Sequence, residues 1–173
     1  MRITMWYDVN HTLTRAWRLP LNQNTYNMNL LSPVSTIMSD DLLTLSPSDS
    51  IAQAAAIFDN HKIHHIPVTI DGKLVGIVSM SDYLFFKRGF LNDRDDEMIE
   101  SIRLNNYQVT YIMTEGIATI EPDDRINVAI EIFRENLFHA IPIVKDDELV
   151  GIVTTHDIIE NLAKNNEAYA AYD

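Results

Sequence analysis

Two short strings carry the side chains best placed to do chemistry. Ser79-Met80-Ser81-Asp82 and Thr154-Thr155-His156-Asp157 each set a hydroxyl three residues before a carboxylate. Ahead of the apolar runs Tyr83-Leu84-Phe85-Phe86 and Ile158-Ile159, that spacing reads as a capping box closing a helix N-terminus. A second string, His61-Lys62-Ile63-His64-His65, has the look of a metal site. His61, however, closes a predicted helix while His64 and His65 open a strand, where neighbours point to opposite faces. The three imidazoles are not expected to converge, and no metal is expected. His64 recurs as His139, which gives the two histidines a shared role.

Catalytic machinery is not expected. The chain has no Gly-x-x-x-x-Gly-Lys loop, no His-Glu-x-x-His and no Gly-x-Ser-x-Gly, the strings that mark phosphate cradles, zinc proteases and serine hydrolases. Ser79 and the pair His156-Asp157 could be grouped as a triad only by joining distant segments, with no third group placed. Zero cysteines remove disulfides, thiolate zinc sites and cysteine nucleophiles together, and fit a reducing cytoplasm.

These candidates sit in a chain of 173 residues with 46% apolar and 9% aromatic residues, enough to bury a core. A formal charge of −12 argues against nucleic acid as partner, since that affinity rests on neutralising phosphates. No apolar run approaches the roughly 20 residues a membrane span needs, and Met1-Arg2-Ile3-Thr4-Met5-Trp6-Tyr7-Asp8 lacks the apolar stretch of a secretory signal. A cytoplasmic protein is expected.

A repeat organises the chain. Shifted by 75 positions, Val34–Leu84 aligns with Val109–Ile159 without a gap, and 20 of the 51 pairs are identical. The two copies are expected at 34–86 and 109–163, with an N-terminal arm (1–33), a helical spacer (87–108) and a tail (164–173). Each copy reads as one string of elements. Leu42-Leu43-Thr44-Leu45 is a short buried strand. Ser50 and Gln53 then have capping-box spacing before a helix that buries Ile51, Ala54, Ala55 and Phe58. The second copy repeats that face with Ile126, Ala129, Ile130 and Phe133, its cap coming from Asp123 or Asp124. Ile66–Ile70 is a strand, Asp71-Gly72 a hairpin turn, and Leu74–Val78 the returning strand. Pro67 and Pro142 mark a sheet margin. A second helix opens at Ser79 or Asp82.

The fold class is therefore α/β (α+β-like, with mixed sheets): two β-α-β-β-α units. About 50 residues bury too little to stand alone comfortably, so the units should pack about a pseudo-two-fold axis into one disc with two related clefts.

At this point the sequence resembles the CBS domain family in its tandem form, the Bateman module. The residues that carry the resemblance are Ile37-Met38, His64-His65-Ile66-Pro67-Val68 and Leu74-Val75-Gly76-Ile77-Val78-Ser79-Met80-Ser81-Asp82. Their counterparts are Ile112-Met113, His139-Ala140-Ile141-Pro142-Ile143 and Leu149-Val150-Gly151-Ile152-Val153-Thr154-Thr155-His156-Asp157. The resemblance implies an adenosine-containing ligand in the clefts: AMP, ADP or ATP, with S-adenosylmethionine as a further candidate. It implies that Asp82 and Asp157 accept hydrogen bonds from the ribose hydroxyls, and that Ser79 and Thr154 reach ribose or phosphate. His64, His65 and His139 would face phosphate, although a structural hydrogen bond is the alternative for the shared histidine. Thr44, Ile66 and Pro67, with Thr119, Ile141 and Pro142, would surround the adenine, and Gly76 and Gly151 would permit close packing beneath. A cap and a ligand contact are compatible, because a helix N-terminus with free amides suits a phosphate.

The function implied is a non-catalytic regulatory, energy-sensing module that signals to a separate partner protein or a second copy, with a homodimer as the expected assembly. The alternative is a ligand-free structural or dimerisation module. Charge divides the copies: the arm sums to +2, the aligned segment 34–84 to −4 and its counterpart 109–159 to −7. Lys62, Lys73, Lys87 and Arg88 supply positive charge near the first copy, mainly Arg125 and Lys145 near the second. With His64 and His65 both present, the first cleft is expected to be the better phosphate site. Trp6, Tyr7, Trp17 and Tyr26 suggest that the arm docks on the disc or a partner. The spacer reads as a helix over Asp93–Asn106 with Met98, Ile99 and Ile102 turned inward.

Overall fold

The computed structural model describes residues 29–89, 97–135 and 138–164. The first repeat carries a 3-10 turn at Val34–Thr36, then α1 (Ile51–Asn60), β1 (His65–Ile70), β2 (Lys73–Ser79) and α2 (Met80–Arg88). The spacer helix α3 covers Glu97–Asn106. The second repeat follows with a 3-10 turn at Val109–Tyr111, α4 (Ile126–Glu135), β3 (Ala140–Lys145), β4 (Glu148–Thr154) and α5 (Thr155–Lys164). The arm's aromatics Trp6, Tyr7, Trp17 and Tyr26 lie outside the described residues.

Local sequence sets the helices. At α1 the Ser50 hydroxyl accepts from the Gln53 amide at 3.3 Å while Gln53 Oε1 accepts from the Ser50 amide at 2.8 Å, the reciprocal box that satisfies two orphan donors. The predicted face of Ile51, Ala54, Ala55 and Phe58 is buried. The second copy caps differently from expectation. Asp124 closes the preceding turn by accepting the Glu121 amide at 2.8 Å. The first amides of α4 go to main-chain oxygens instead, Ile126 N–H to Ser32 and Asn127 N–H to Leu30, each at 3.0 Å.

Each hairpin is antiparallel with the same register, His65 opposite Ser79 and Ala140 opposite Thr154, and each has a bulge after its fourth residue. The turns need positive φ at both central positions. Asp71 (50°) and Gly72 (81°) supply it in the first copy, Asp146 (51°) and Asp147 (67°) in the second.

The expected first strand shrinks to one residue per copy. Leu45 pairs in parallel with Val68, and Ile120 with Ile143, while Leu43 is exposed. Proline is the physical reason. Leu45 N–H donates to the Pro67 carbonyl at 3.0 Å and Thr69 N–H to Leu45 at 2.8 Å. Pro67 thus turns its main chain toward this segment, and the next rung would need the N–H that proline lacks. The parallel pairing stops there, and Pro142 repeats the arrangement beside Ile120.

The repeat in sequence is not the repeat in space, because the segments that open the two copies are exchanged. Val34 N–H donates to the Asp124 carbonyl at 2.6 Å, and Val34 is fully buried among Ile120, Ala129, Ile141, Ile143 and Val153 of the second copy, with Ile37 and Met38 packed beside it. Val109 does the converse. Its N–H donates to Asp49 at 2.8 Å, and it joins Leu45, Ile51, Phe58, Ile66 and Val78 of the first copy, with Ile112 and Met113 alongside. Ser39 and Ile152 exchange two hydrogen bonds of 2.9 Å, Thr114 and Ile77 two of 2.9 and 3.0 Å.

That approach requires the glycines. A Cβ on Gly151 would lie 2.6 Å from Met38 Sδ and 3.2 Å from the Ser39 carbonyl; one on Gly76 would meet the Thr114 carbonyl at 3.0 Å and Met113 Sδ at 3.1 Å. Between the repeats Ile77, Ala140 and Ile152 form a shared cluster with Leu42 and Ile117 packed on it. The hairpin tips also touch, Leu149 N–H donating to the Gly72 carbonyl at 3.0 Å. Beside it the Lys73–Asp147 pair at 3.5 Å is exposed on both sides and contributes at most about 1 kcal/mol.

The spacer helix faces the other way from expectation. Met98, Ile99 and Ile102 are exposed, and Leu104 with Tyr107 makes the contact to the first core instead. Lys87 on α2 is 2.7 Å from Glu100 on α3, so a polar tie holds one side of that helix. The expected start at Asp93 lies outside the described residues.

Exchange of the leaders predicts a coupling that sequence neighbours would not show. Gly151→Ala should destabilise the protein by about 1–3 kcal/mol through overpacking. Met38→Ala should relieve part of that cost, so a double-mutant cycle in urea should give a non-zero coupling between residues of opposite repeats. Strict additivity would count against the contact.

Candidate functional site

The candidate residues gather where each hairpin runs into its following helix. Ser79 is the N-cap of α2: its hydroxyl accepts from the Asp82 amide at 3.1 Å. Asp82 Oδ2 in turn accepts from the Ser79 amide at 2.9 Å and from its hydroxyl at 2.6 Å. Thr154 and Asp157 repeat the geometry at α5, with Oδ2 accepting from the Thr154 amide at 2.7 Å and hydroxyl at 2.6 Å. Among the described residues no hydrogen bond ends on Oδ1 of either carboxylate, and both side chains are half-buried. Each acid therefore caps its helix with one oxygen and holds the other open as an acceptor.

The same geometry disposes of the triad. Ser79 gives its proton to Asp82 and Asp157 is engaged by Thr154, so Ser79, His156 and Asp157 do not form a relay. His61 is the C-cap of α1, away from the strand that begins at His65. No group of three or more His, Asp or Glu among the described residues is arranged to hold a metal ion.

Main-chain bonds place the other histidines. Met80 N–H donates to the His64 carbonyl at 2.8 Å and Thr155 N–H to the His139 carbonyl at 3.1 Å, which folds each strand start against the first turn of the next helix. His64 and His139 are exposed; His65 is half-buried. Its imidazole is held below its ordinary pKa of 6.5, first by burial and then by His139 and His64, with Asp82 pulling the other way. His139 belongs to the opposite repeat, so the two corners lie within electrostatic reach of each other.

The adenine-side candidates divide by exposure. Ile66 and Ile141 are fully buried in the two cores, and Pro67 and Pro142 are among the fully buried side chains. Their side chains belong to the core, and the Pro67 and Pro142 carbonyls are already acceptors for Leu45 and Ile120. Thr44 and Thr119 are exposed, each just before the residue that bridges to the hairpin. Of the basic residues, Lys73 is paired with Asp147 and Lys87 with Glu100. An open depression of about 380 Å³ lies between α2 and α3, lined by Lys87, Glu100, Ser101, Leu104 and Asn105; it is not at the Asp82 or Asp157 corner. Sequence reading missed that Met38 and Met113 roof the opposite copy's glycine. The available signal was that both methionines recur at one offset from both glycines.

Comparison with known proteins fits this arrangement. The model of the CBS domain matches twice, at residues 34–89 and 109–164. The chain belongs to the CBS domain family. It is similar to the CBS domain-containing protein YhcV of Bacillus subtilis, 27% identical over 143 residues that cover 82% of this chain and 93% of that one. It is also 33% identical over 127 residues to homoserine O-acetyltransferase of Methanohalobium evestigatum. That match covers 72% of this chain and 23% of the enzyme, so the chain spans about a quarter of the length of the first curated relatives. Among solved structures, the CBS domain pair of protein MJ0100, in complex with 5-methylthioadenosine and S-adenosyl-L-methionine, superposes with a TM-score of 0.60. It is 28% identical and covers 78% of this chain and 98% of that one. CBSX2 in complex with AMP shares the fold at a TM-score of 0.65 and 22% identity, over 77% of this chain and 97% of that one. Among the described residues no helix is long and apolar enough to cross a membrane.

In this tandem CBS module the cap role of the hydroxyls is separable from any ligand role. Ser79→Ala and Thr154→Ala should each lower stability by about 0.5–2 kcal/mol without added nucleotide, measured by urea unfolding. No change in either would contradict the reciprocal capping described above.

Proposed function

We propose that this tandem CBS module binds an adenosine-containing ligand, AMP, ADP or ATP in the first instance, in the clefts between its repeats. It does no chemistry on that ligand. The observation that carries the reading is the pair of half-engaged carboxylates: one oxygen of Asp82 and of Asp157 closes a helix, and the other is an open acceptor suited to a ribose hydroxyl. Ser79 and Thr154 stand beside them at helix N-termini, where main-chain amides favour phosphate. Thr44 and Thr119 are exposed residues on the adenine side, with the backbone of Ile66, Pro67, Ile141 and Pro142. The adenosine ligands in the MJ0100 pair and in CBSX2 support the class of ligand.

Signalling follows from linkage. A ligand that touches both repeats favours one arrangement of them, and a partner that distinguishes the arrangements reads its presence. His64, His65 and His139 are the residues for phosphate; a neutral imidazole donates one hydrogen bond to it. The first corner has two histidines and the second one, with Ala140 at the matching place. The second repeat is also the more acidic, so the first is the better anion site.

A second reading rests on the outer helices. Phe85 is 81% exposed and Met98 70%, and Leu84 with Ile159 presents apolar surface at matching places on α2 and α5. A homodimer formed through these helices would cover them, with or without nucleotide in the clefts.

Thermal melting in AMP, ADP, ATP and S-adenosylmethionine tests the first reading. A ligand at about 100 times its dissociation constant should add roughly 2.7 kcal/mol to stability. Asp82→Ala should lose more nucleotide affinity than Asp157→Ala. A melt indifferent to all four compounds would leave the dimerisation reading, for which sedimentation of Phe85→Ala should show dissociation.

A further inference from the structure

The counterpart helices α1 and α4 are not covered alike. α1 packs against α2 and α3, and among the described residues no helix packs on α4 as α3 does on α1. Ala55 and Phe58 of α1 are buried, whereas the matching Ile130 and Phe133 of α4 are half-buried. Ile130 belongs to neither repeat's core cluster. With Asn127 these two form one stripe along α4, spaced three residues apart. Asn127 Oδ1 is buried and has no hydrogen-bond partner among the described residues, a costly state for an amide oxygen.

The repeat names the chain that reaches this stripe. The Tyr107 carbonyl, directly behind α3, accepts the Ile51 amide at 2.9 Å. Its counterpart, the Ser32 carbonyl, accepts the Ile126 amide at 3.0 Å. The N-terminal arm therefore leaves from the place on α4 that α3 occupies on α1. It does not enter as a helix: Ser32 N–H donates to the Asn29 carbonyl at 2.9 Å and Leu31 N–H to Asn29 Oδ1 at 3.1 Å, which closes a turn. The surfaces differ to match. α1 presents Ala52, Ala55 and Ala56, which admit a helix closely, where α4 presents Asn127, Ile130 and Glu131, bulkier residues that leave room for a thinner, extended chain.

We propose that arm residues 24–28 of the same chain lie extended along α4, with Tyr26 and Met28 covering Ile130 and Phe133. Length fixes the segment. The ten residues of α4 span about 15 Å, which an extended chain crosses in about five residues. The five before Asn29 are Asn24-Thr25-Tyr26-Asn27-Met28. Side chains alternate in an extended chain, so Tyr26 and Met28 share a face and Thr25 and Asn27 turn away. Main-chain N–H groups of the segment are the donors that Asn127 Oδ1 lacks. Each repeat is then finished on its outer side, by α3 on α1 and by the arm on α4, and α4 is closed to other proteins while the arm is seated.

The test uses the full chain without nucleotide, so its outcome is independent of the ligand reading. Chymotrypsin cleavage after Tyr26, identified by fragment mass, reports release of the arm. Ile130→Glu should speed that cleavage at least about tenfold over wild type, as the open population grows. Ile130→Ala should speed it by less, and serves if Ile130→Glu folds poorly. Ile102→Glu, at an exposed position on α3, should leave the rate unchanged. By NMR, the Tyr26 ring should show a nuclear Overhauser effect to the Ile130 methyls within one chain. Equal cleavage in wild type and both Ile130 variants, or an equal effect of Ile102→Glu, would overturn the proposal. So would a Tyr26–Ile130 effect seen only between differently labelled chains, which would make a second copy the occupant.

Discussion

The close approach of Met38-Ser39 to Gly151, and of Met113-Thr114 to Gly76, is the contact on which the rest of the structure depends. A side chain at either glycine would fall within about 3 Å of its roof, so the absence of a Cβ lets each leader reach the opposite hairpin. Once there, the leader exchanges two main-chain bonds with β4 or β2 and buries Val34 or Val109 completely. Each core is thus finished by a residue of the other copy. A 50-residue unit too small to bury its own surface gains its missing wall by exchange, and the two copies cannot separate without opening both cores.

Function in a CBS module is bound to that arrangement. The exchange sets the hairpins side by side and brings the first turns of α2 and α5 to related corners of one body. The capping carboxylates at those turns serve stability with one oxygen and present the other. In the proposed function, a ligand held at such a corner would act on a seam that, beyond the exchanged leaders, is made of few contacts: a small apolar cluster, one hydrogen bond between hairpin tips and an exposed ion pair. A seam of that kind is what differential binding can shift, because its few contacts lie outside the two cores that the exchanged leaders complete.

Much of this was legible in the sequence. The gapless repeat gave the unit, the Ser50–Gln53 and Ser79–Asp82 spacings gave the caps, and Asp71-Gly72 gave the turn, because each is a local signal over a few residues. Three features were not legible. The leader exchange is a matter of which equivalent core Val34 enters, and a repeat presents two identical answers. The short strand at Leu42–Leu45 has an apolar pattern, but its pairing is cut by Pro67 on the neighbouring strand, a partner that local patterning does not name. The face of α3 was inverted because Met98, Ile99 and Ile102 read as a buried stripe, whereas Leu104 and the aromatic chain Phe86–Tyr107–Tyr111, with centroids 5.3 and 5.0 Å apart, anchor the helix instead. At the site, residue types were readable and exposure was not: Ile66 and Thr44 look equally available in the sequence, yet one is sealed in the core and the other open.

The most direct test of the account is a crystal structure of the module grown with saturating AMP. The account predicts nucleotide between the repeats with its ribose hydroxyls on Oδ1 of Asp82, and the leaders still exchanged. Nucleotide bound away from both capping carboxylates, or clefts empty at saturation, would contradict it.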